Sequence, residues 1–215
     1  MEFRRKAVAG ATVGLAILLV ALASAGCGGS SSVTTTANIA ASTTSSLASA
    51  NPGELAAAQA YFAAMAPVID KDYQGLQWFD QVMTQWQQTY QNSASTDRQA
   101  WNALGQIFQQ AIPKEQEIIQ GYAAITPPEA FRTAHAALIE NNRDGNTWAA
   151  SVVAAIKANR PTDELLSMLS AGPPGPSSSE VLAEFQDAAA RVGTQLPTKL
   201  IDTYLDDSGS SEQRV

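Results

Sequence analysis

The chain has 215 residues, of which 45% are hydrophobic and 15% charged, and it carries a formal net charge of −7. That length holds one domain of ordinary size, roughly 100 to 200 residues, and the apolar content excludes a chain disordered throughout. An acidic balance with no Lys/Arg cluster beyond the first six residues excludes nucleic acid and anionic lipid headgroups as electrostatic partners.

Arg4, Arg5 and Lys6 open the chain, and Ala7 to Gly26 then runs without a charge, which is the basic and apolar pattern of an export leader. The stretch ends in Ser24-Ala25-Gly26-Cys27. Cys27 is the single cysteine, so no internal disulfide is expected and stability must come from packing. Left uncut, the same stretch is long enough to span a bilayer of roughly 30 Å, and in either case the basic end stays cytoplasmic. Removing residues 1–26 takes away three basic residues and Glu2, leaving 10 basic against 19 acidic and a net charge of −9.

Residues 27–50 are mostly Ser, Thr, Ala and Gly, with Val33, Ile39 and Leu47 as the large apolar residues. That composition predicts a flexible tether, with a mean reach of roughly 25 Å.

From residue 51 to 206 the pattern is helical, with starts marked by a capping residue three positions before Glu or Gln. Asn51 with Glu54, Thr96 with Gln99, Thr126 with Glu129 and Ser177 with Glu180 supply four such starts. They predict long helices over 52–92, 97–125, 127–158 and 178–206, with a short one over 162–170 and a Gly/Pro turn over 171–176. In the first, Leu55, Phe62, Ile69, Leu76, Met83 and Tyr90 recur every seventh residue; Met65, Phe79 and Trp86 fill a second row, interrupted by Asp72. The second repeats the design with Trp101, Phe108 and Tyr122 in one row and Leu104, Ala111, Ile118 and Ile125 in the other, interrupted by Glu115. Pro67 and Pro113 fall inside these helices, and the unbroken phase of the seams predicts kinks there rather than ends. Phe131, Leu138, Trp148, Val152 and Ile156 keep one phase through the polar stretch Asn141 to Thr147, so the third helix is expected to run through Asp144-Gly145. In the fourth, Leu182, Phe185, Ala189 and Val192 precede Gly193 and Pro197, where a kink or short break is expected. Short connections then give an all-α, up-and-down four-helix bundle with a polar, disordered tail over 207–215.

The small residues before Cys27 resemble the lipobox of bacterial lipoproteins, departing from it at Ser24, where that family usually has Leu. Together with the Ser/Thr tether and an Ala-rich bundle carrying Pro127, Pro128, Glu129, His135 and Leu138, the chain is similar to small helical bacterial lipoproteins. The resemblance implies lipid, such as palmitate, on Cys27, attachment to the outer face of the cell membrane, and no particular activity.

Motifs for chemistry are sparse. One cysteine excludes Cys-x-x-Cys-His haem attachment, and Arg132 stands where a di-iron bundle needs Glu before His135. Noncovalent haem would need His135 with Met65 or Met83, residues more often found as core filling. Phosphate-binding glycine loops, HExxH and hydrolase motifs are absent from the sequence. Counting down from the turn near 93–95, Asp72 lies about 22 residues below it and Glu115 about 20, and His135 climbs to a similar height from the other end. Asp72, Glu115 and His135 are therefore candidate metal ligands, with Lys199 arriving from the fourth helix. Tyr73 and Trp78, beside a run of glutamines, form a candidate partner surface, against packing on a second helix. The expected function is nonenzymatic binding of an extracytoplasmic ligand or protein; the alternatives are a metal-carrying bundle and a purely structural envelope protein.

Overall fold

The structure, a computed structural model, describes residues 51–90 and 98–205. The leader, Cys27, the tether, Thr96 and the tail lie outside them. The described residues form an all-α fold: α1 Pro52–Tyr90, α2 Arg98–Ala123, a single 3-10 turn Glu129–Phe131, α3 Arg132–Lys157, α4 Thr162–Ala171, α5 Ser178–Val192 and α6 Thr198–Tyr204. No helix among them is long and apolar enough to cross a membrane.

Pro67 and Pro113 both lie inside unbroken helices. Each is exposed, as are Ala63 and Gln109 one turn earlier. The carbonyls that lose their proline partners therefore sit on the wet side of the helix, where water can bond them. Asn51 caps α1 by accepting a hydrogen bond from Gly53 N at 3.0 Å.

Two of the expected boundaries change. The third helix begins at Arg132 rather than 127, because Pro128 starts a 3-10 turn without a side-chain cap, and Glu129 pairs with Arg132 instead of closing a box with Thr126. The fourth helix is two helices. Gly193 takes the left-handed conformation (φ 69°, ψ 31°), and the Thr194 N–H reaches back to the Ala189 carbonyl, which stops α5 four residues before Pro197 caps α6.

Helix α3 does run through Asp144-Gly145. Its polar stretch anchors the turn before α5: Asn141 donates to the Pro176 carbonyl at 2.6 Å, and Asp144 lies under Gly175. A Cβ at Gly175 would stand 2.1 Å from Asp144 Oδ2, and φ there is +91°, so only glycine fits.

Helix α1 packs on α2, α2 on α3 and α3 on α5, while α5 and α6 return to α1. The interior comes in two parts. One gathers Leu76, Phe79, Met83, Trp101, Leu104, Phe108, Trp148, Val152 and Leu165, and is covered by α4. The other gathers Met65, Ile69, Ile118, Tyr122, Phe131, Leu138, Phe185, Val192 and Tyr204. Along α1 the division falls between Ile69 and Leu76, along α2 between Ala111 and Ile118, and along α3 between Leu138 and Trp148.

The start of α5 is closed by a reciprocal box: Ser177 Oγ accepts from Glu180 N, and the Glu180 carboxylate accepts from Ser177 N at 2.7 Å. Ser177→Ala should cost about 1 kcal/mol, measured as a lowered urea midpoint with unchanged slope.

Candidate functional site: a buried carboxylate layer

Between the two apolar parts lies a polar layer. Asp72, Glu115 and Asn142 are each 1% exposed or less, and they occupy the division on α1, α2 and α3 respectively. Seam periodicity puts them there: Asp72 and Glu115 are the two interruptions of heptad rows that otherwise face the core.

Two phenols serve the first carboxylate. Asp72 Oδ2 accepts from Tyr122 Oη at 2.9 Å and from Tyr204 Oη at 3.1 Å. Asn142 Nδ2 in turn donates to Tyr204 Oη at 3.0 Å, so α1, α2, α3 and α6 meet at one oxygen-rich knot. Glu115 has no such help: neither of its oxygens has a hydrogen-bond partner, and Asp72 Oδ1 also lacks one. The ion pairs Lys71 to Glu117, Arg160 to Glu164 and Lys199 to Asp70 lie on the exposed surface and do not balance this layer.

Burial dominates the electrostatics. It raises the Asp72 carboxyl from 3.8 to about 6, against the pull of the Tyr122 and Tyr204 hydrogen bonds. Glu115 is held well above the usual carboxylate range, first by burial and then by the charge of Asp72. The same burial, reinforced by Asp72, pushes both phenols upward, so they remain neutral donors.

His135 sits elsewhere. Its Nδ1 lies 2.7 Å from Tyr61 Oη, within an aromatic group that includes Phe131, and its Nε2 has no hydrogen-bond partner. Burial lowers its pKa below 6.5, with the Tyr122 main chain opposing. Among the described residues no three His, Cys, Asp or Glu side chains gather where they could hold a metal ion. The expected triad of Asp72, Glu115 and His135 is thus corrected to a pair of carboxylates and a separate imidazole. The height estimate was sound for the two carboxylates; His135 lies beside its seam and turns to Tyr61. Lys199 is corrected too, for it bonds Asp70 at 2.7 Å on the surface, and Tyr204 is the α6 residue that enters. Met65 and Met83 are core residues in opposite halves of the interior.

Tyr73 is half-buried. Trp78 is half-buried as well, packed against the α4-side core and covered by Lys114, whose Nζ stands 4.9 Å from the ring centroid. Trp78 thus packs beside the second helix while remaining partly exposed.

The sequence pattern places Tyr122 in an apolar row and gives no role to Tyr61, Asn142 or Tyr204. The available signal was that a tyrosine on a core seam brings a hydroxyl that needs a partner when buried, and a seam-breaking carboxylate is such a partner. Comparison with known protein families, with curated proteins and with solved structures returns no match.

Tyr204→Phe would leave Asp72 with one donor and strand the Asn142 amide. It should cost about 1 to 3 kcal/mol, read as a lower urea midpoint with helical content retained.

Proposed function

We propose that the chain is a bacterial lipoprotein, held at the outer face of the cell membrane by lipid on Cys27, whose helical domain binds a ligand or protein there without catalysing a reaction. The observation that carries the location is the run Ser24-Ala25-Gly26-Cys27 after a basic and then uncharged leader. Acylation of that thiol and cutting before it would leave the lipid as the anchor, with the tether lifting the domain clear of the headgroups. Replacing Cys27 by Ser is expected to abolish incorporation of labelled fatty acid. Undiminished labelling would reject the anchor.

Binding is the reading that the distribution of chemistry favours. The coupled carboxyl groups are sealed inside, away from any substrate in solution, whereas α1 presents exposed Gln74, Gln77, Gln81 and Gln85 along one face beside Trp78. Neutral amide donors and acceptors next to an aromatic edge suit a polar, uncharged ligand such as a saccharide. Trp86, Trp101 and Trp148 are buried, which makes Trp78 the tryptophan that such a ligand would touch. Soluble cell-envelope saccharides should therefore perturb tryptophan fluorescence in the native chain and not in Trp78→Phe; an equal response from both would move the binding surface elsewhere.

A further inference from the structure

Among the described residues the carboxylate layer holds two acids and no basic side chain, and the packing of α1 on α2 fixes how the two acids meet. Three contacts set the register. A Cβ on Gly121 would lie 3.0 Å from the Val68 side chain, one on Gly75 would lie 3.7 Å from Ile118, and Lys114 covers Trp78. Residue numbers rise on one helix as they fall on the other, so the helices run antiparallel. Asp72 falls between the Val68 and Gly75 levels, and Glu115 between the Ile118 and Lys114 levels. The two are offset by about 5 to 7 Å along the helix axes. The two side chains together bridge that offset, and the charge of Asp72 acts on Glu115.

The donors around the pair are unequal. Both phenols address Asp72 Oδ2, an arrangement that favours the ionised form of Asp72. Glu115 receives no donor at all, and an ionised, donorless carboxylate sealed from water is the costliest state available here. Three buried oxygens stand without partners: Asp72 Oδ1, Glu115 Oε1 and Glu115 Oε2. One proton on Glu115, pointed at Asp72 Oδ1, gives two of the three a partner and leaves a single negative charge, already served by Tyr122 and Tyr204.

We propose that Asp72 and Glu115 form a proton-binding centre, in which one proton carried on Glu115 and hydrogen-bonded to Asp72 Oδ1 clamps α1 to α2, and its loss in alkali loosens the interior. No atom other than the proton is exchanged. It leaves to hydroxide or buffer base, and two carboxylates then repel one another in a medium that screens poorly.

The other titratable groups near the pair are quiet in the neutral to alkaline range. On α3, His135 is already neutral above about pH 6.5, since burial lowers its pKa. Tyr61 on α1, Tyr122 on α2 and Tyr204 on α6 are all pushed above 10 by burial. Asp70 and Lys199 pair with each other at the surface. The sign follows from the raised carboxyl values: the folded state holds the proton more tightly than the unfolded state, so stability is greatest on the acid side of this transition and falls as pH rises.

The test uses the full chain in detergent. The thermal midpoint of the native protein should fall as pH rises from neutral into the alkaline range, while Glu115→Gln, whose amide can donate to Asp72 without titrating, should change by less than half as much. Infrared absorption supplies a readout that does not depend on the variant folding: at neutral pH the native chain should show the carbonyl stretch of a protonated carboxyl, bleaching as pH rises. In Glu115→Gln that band should be missing. The proposal is overturned if the native chain lacks the band at neutral pH, or if Glu115→Gln keeps the full pH dependence. It is equally overturned if calcium chloride raises the neutral-pH midpoint and a chelator lowers it, since a bound cation and not a proton would then neutralise the pair.

Discussion

Two acids at mid-height in an apolar interior constrain everything around them. Taking an ionised carboxylate out of water costs about several kcal/mol even after relaxation, so each must find donors, a neutralising partner or solvent. Here the heptad seams of α1 and α2 leave no route to solvent, and the surrounding elements answer instead. Helix α2 contributes Tyr122, α3 contributes Asn142, and the chain turns back after Gly193 so that α6 can deliver Tyr204. A single straight helix after Ser177 would continue along the direction of α5; the left-handed glycine and the proline cap redirect it toward α1.

The layer also explains why the apolar core is divided. Aliphatic and aromatic side chains above and below it cannot interdigitate through a plane of buried polar groups, so each half is packed on its own and closed by its own peripheral elements. Helix α4 closes one half with Leu165 and Leu169, and Trp148 donates to the Met168 carbonyl at 3.0 Å to hold it. Helices α5 and α6 close the other with Phe185, Val192 and Leu200. A polar layer of this kind contributes little net stability, but it admits one register of α1 against α2, because a shift by a turn would bury Asp72 without its phenols.

Much of the fold was legible because heptad spacing reports burial directly. Every residue of the α1 rows between Phe62 and Trp86 is buried, and so are Asp72 and Glu115, which interrupt the rows of α1 and α2. Helix ends were harder. The Ser177 box formed as its spacing predicts, while the similar spacing at Thr126 was overruled by two consecutive prolines that favour an extended backbone. Heights on α1 and α2 could be counted from their shared turn, whereas the start of α3 could not be fixed across two prolines and a 3-10 turn. Asn142 is the α3 residue that reaches the layer, and His135, seven residues earlier on nearly the same face, stands about 10 Å short of it against Tyr61. Lys199 and Tyr204 differ by just over one turn, and the break at Gly193 decided which of them faces inward.

The two halves differ in one more respect, their order along the chain. The half covered by α4 is drawn entirely from residues between Leu76 and Leu169. The other joins the beginning of α1 to the end of α6, and its knot links Asp72 to Tyr204. A chain that emerges from its N-terminal end therefore possesses all of the first half while the second still lacks its closing helices, and Asp72 must wait for nearly the last described residue before its second phenol exists. Long-range closures of this kind are slow steps in folding. During synthesis, the α4 half is the part equipped to form first, and the face of α1 between Ala58 and Ile69 is not fully covered until α5 and α6 arrive.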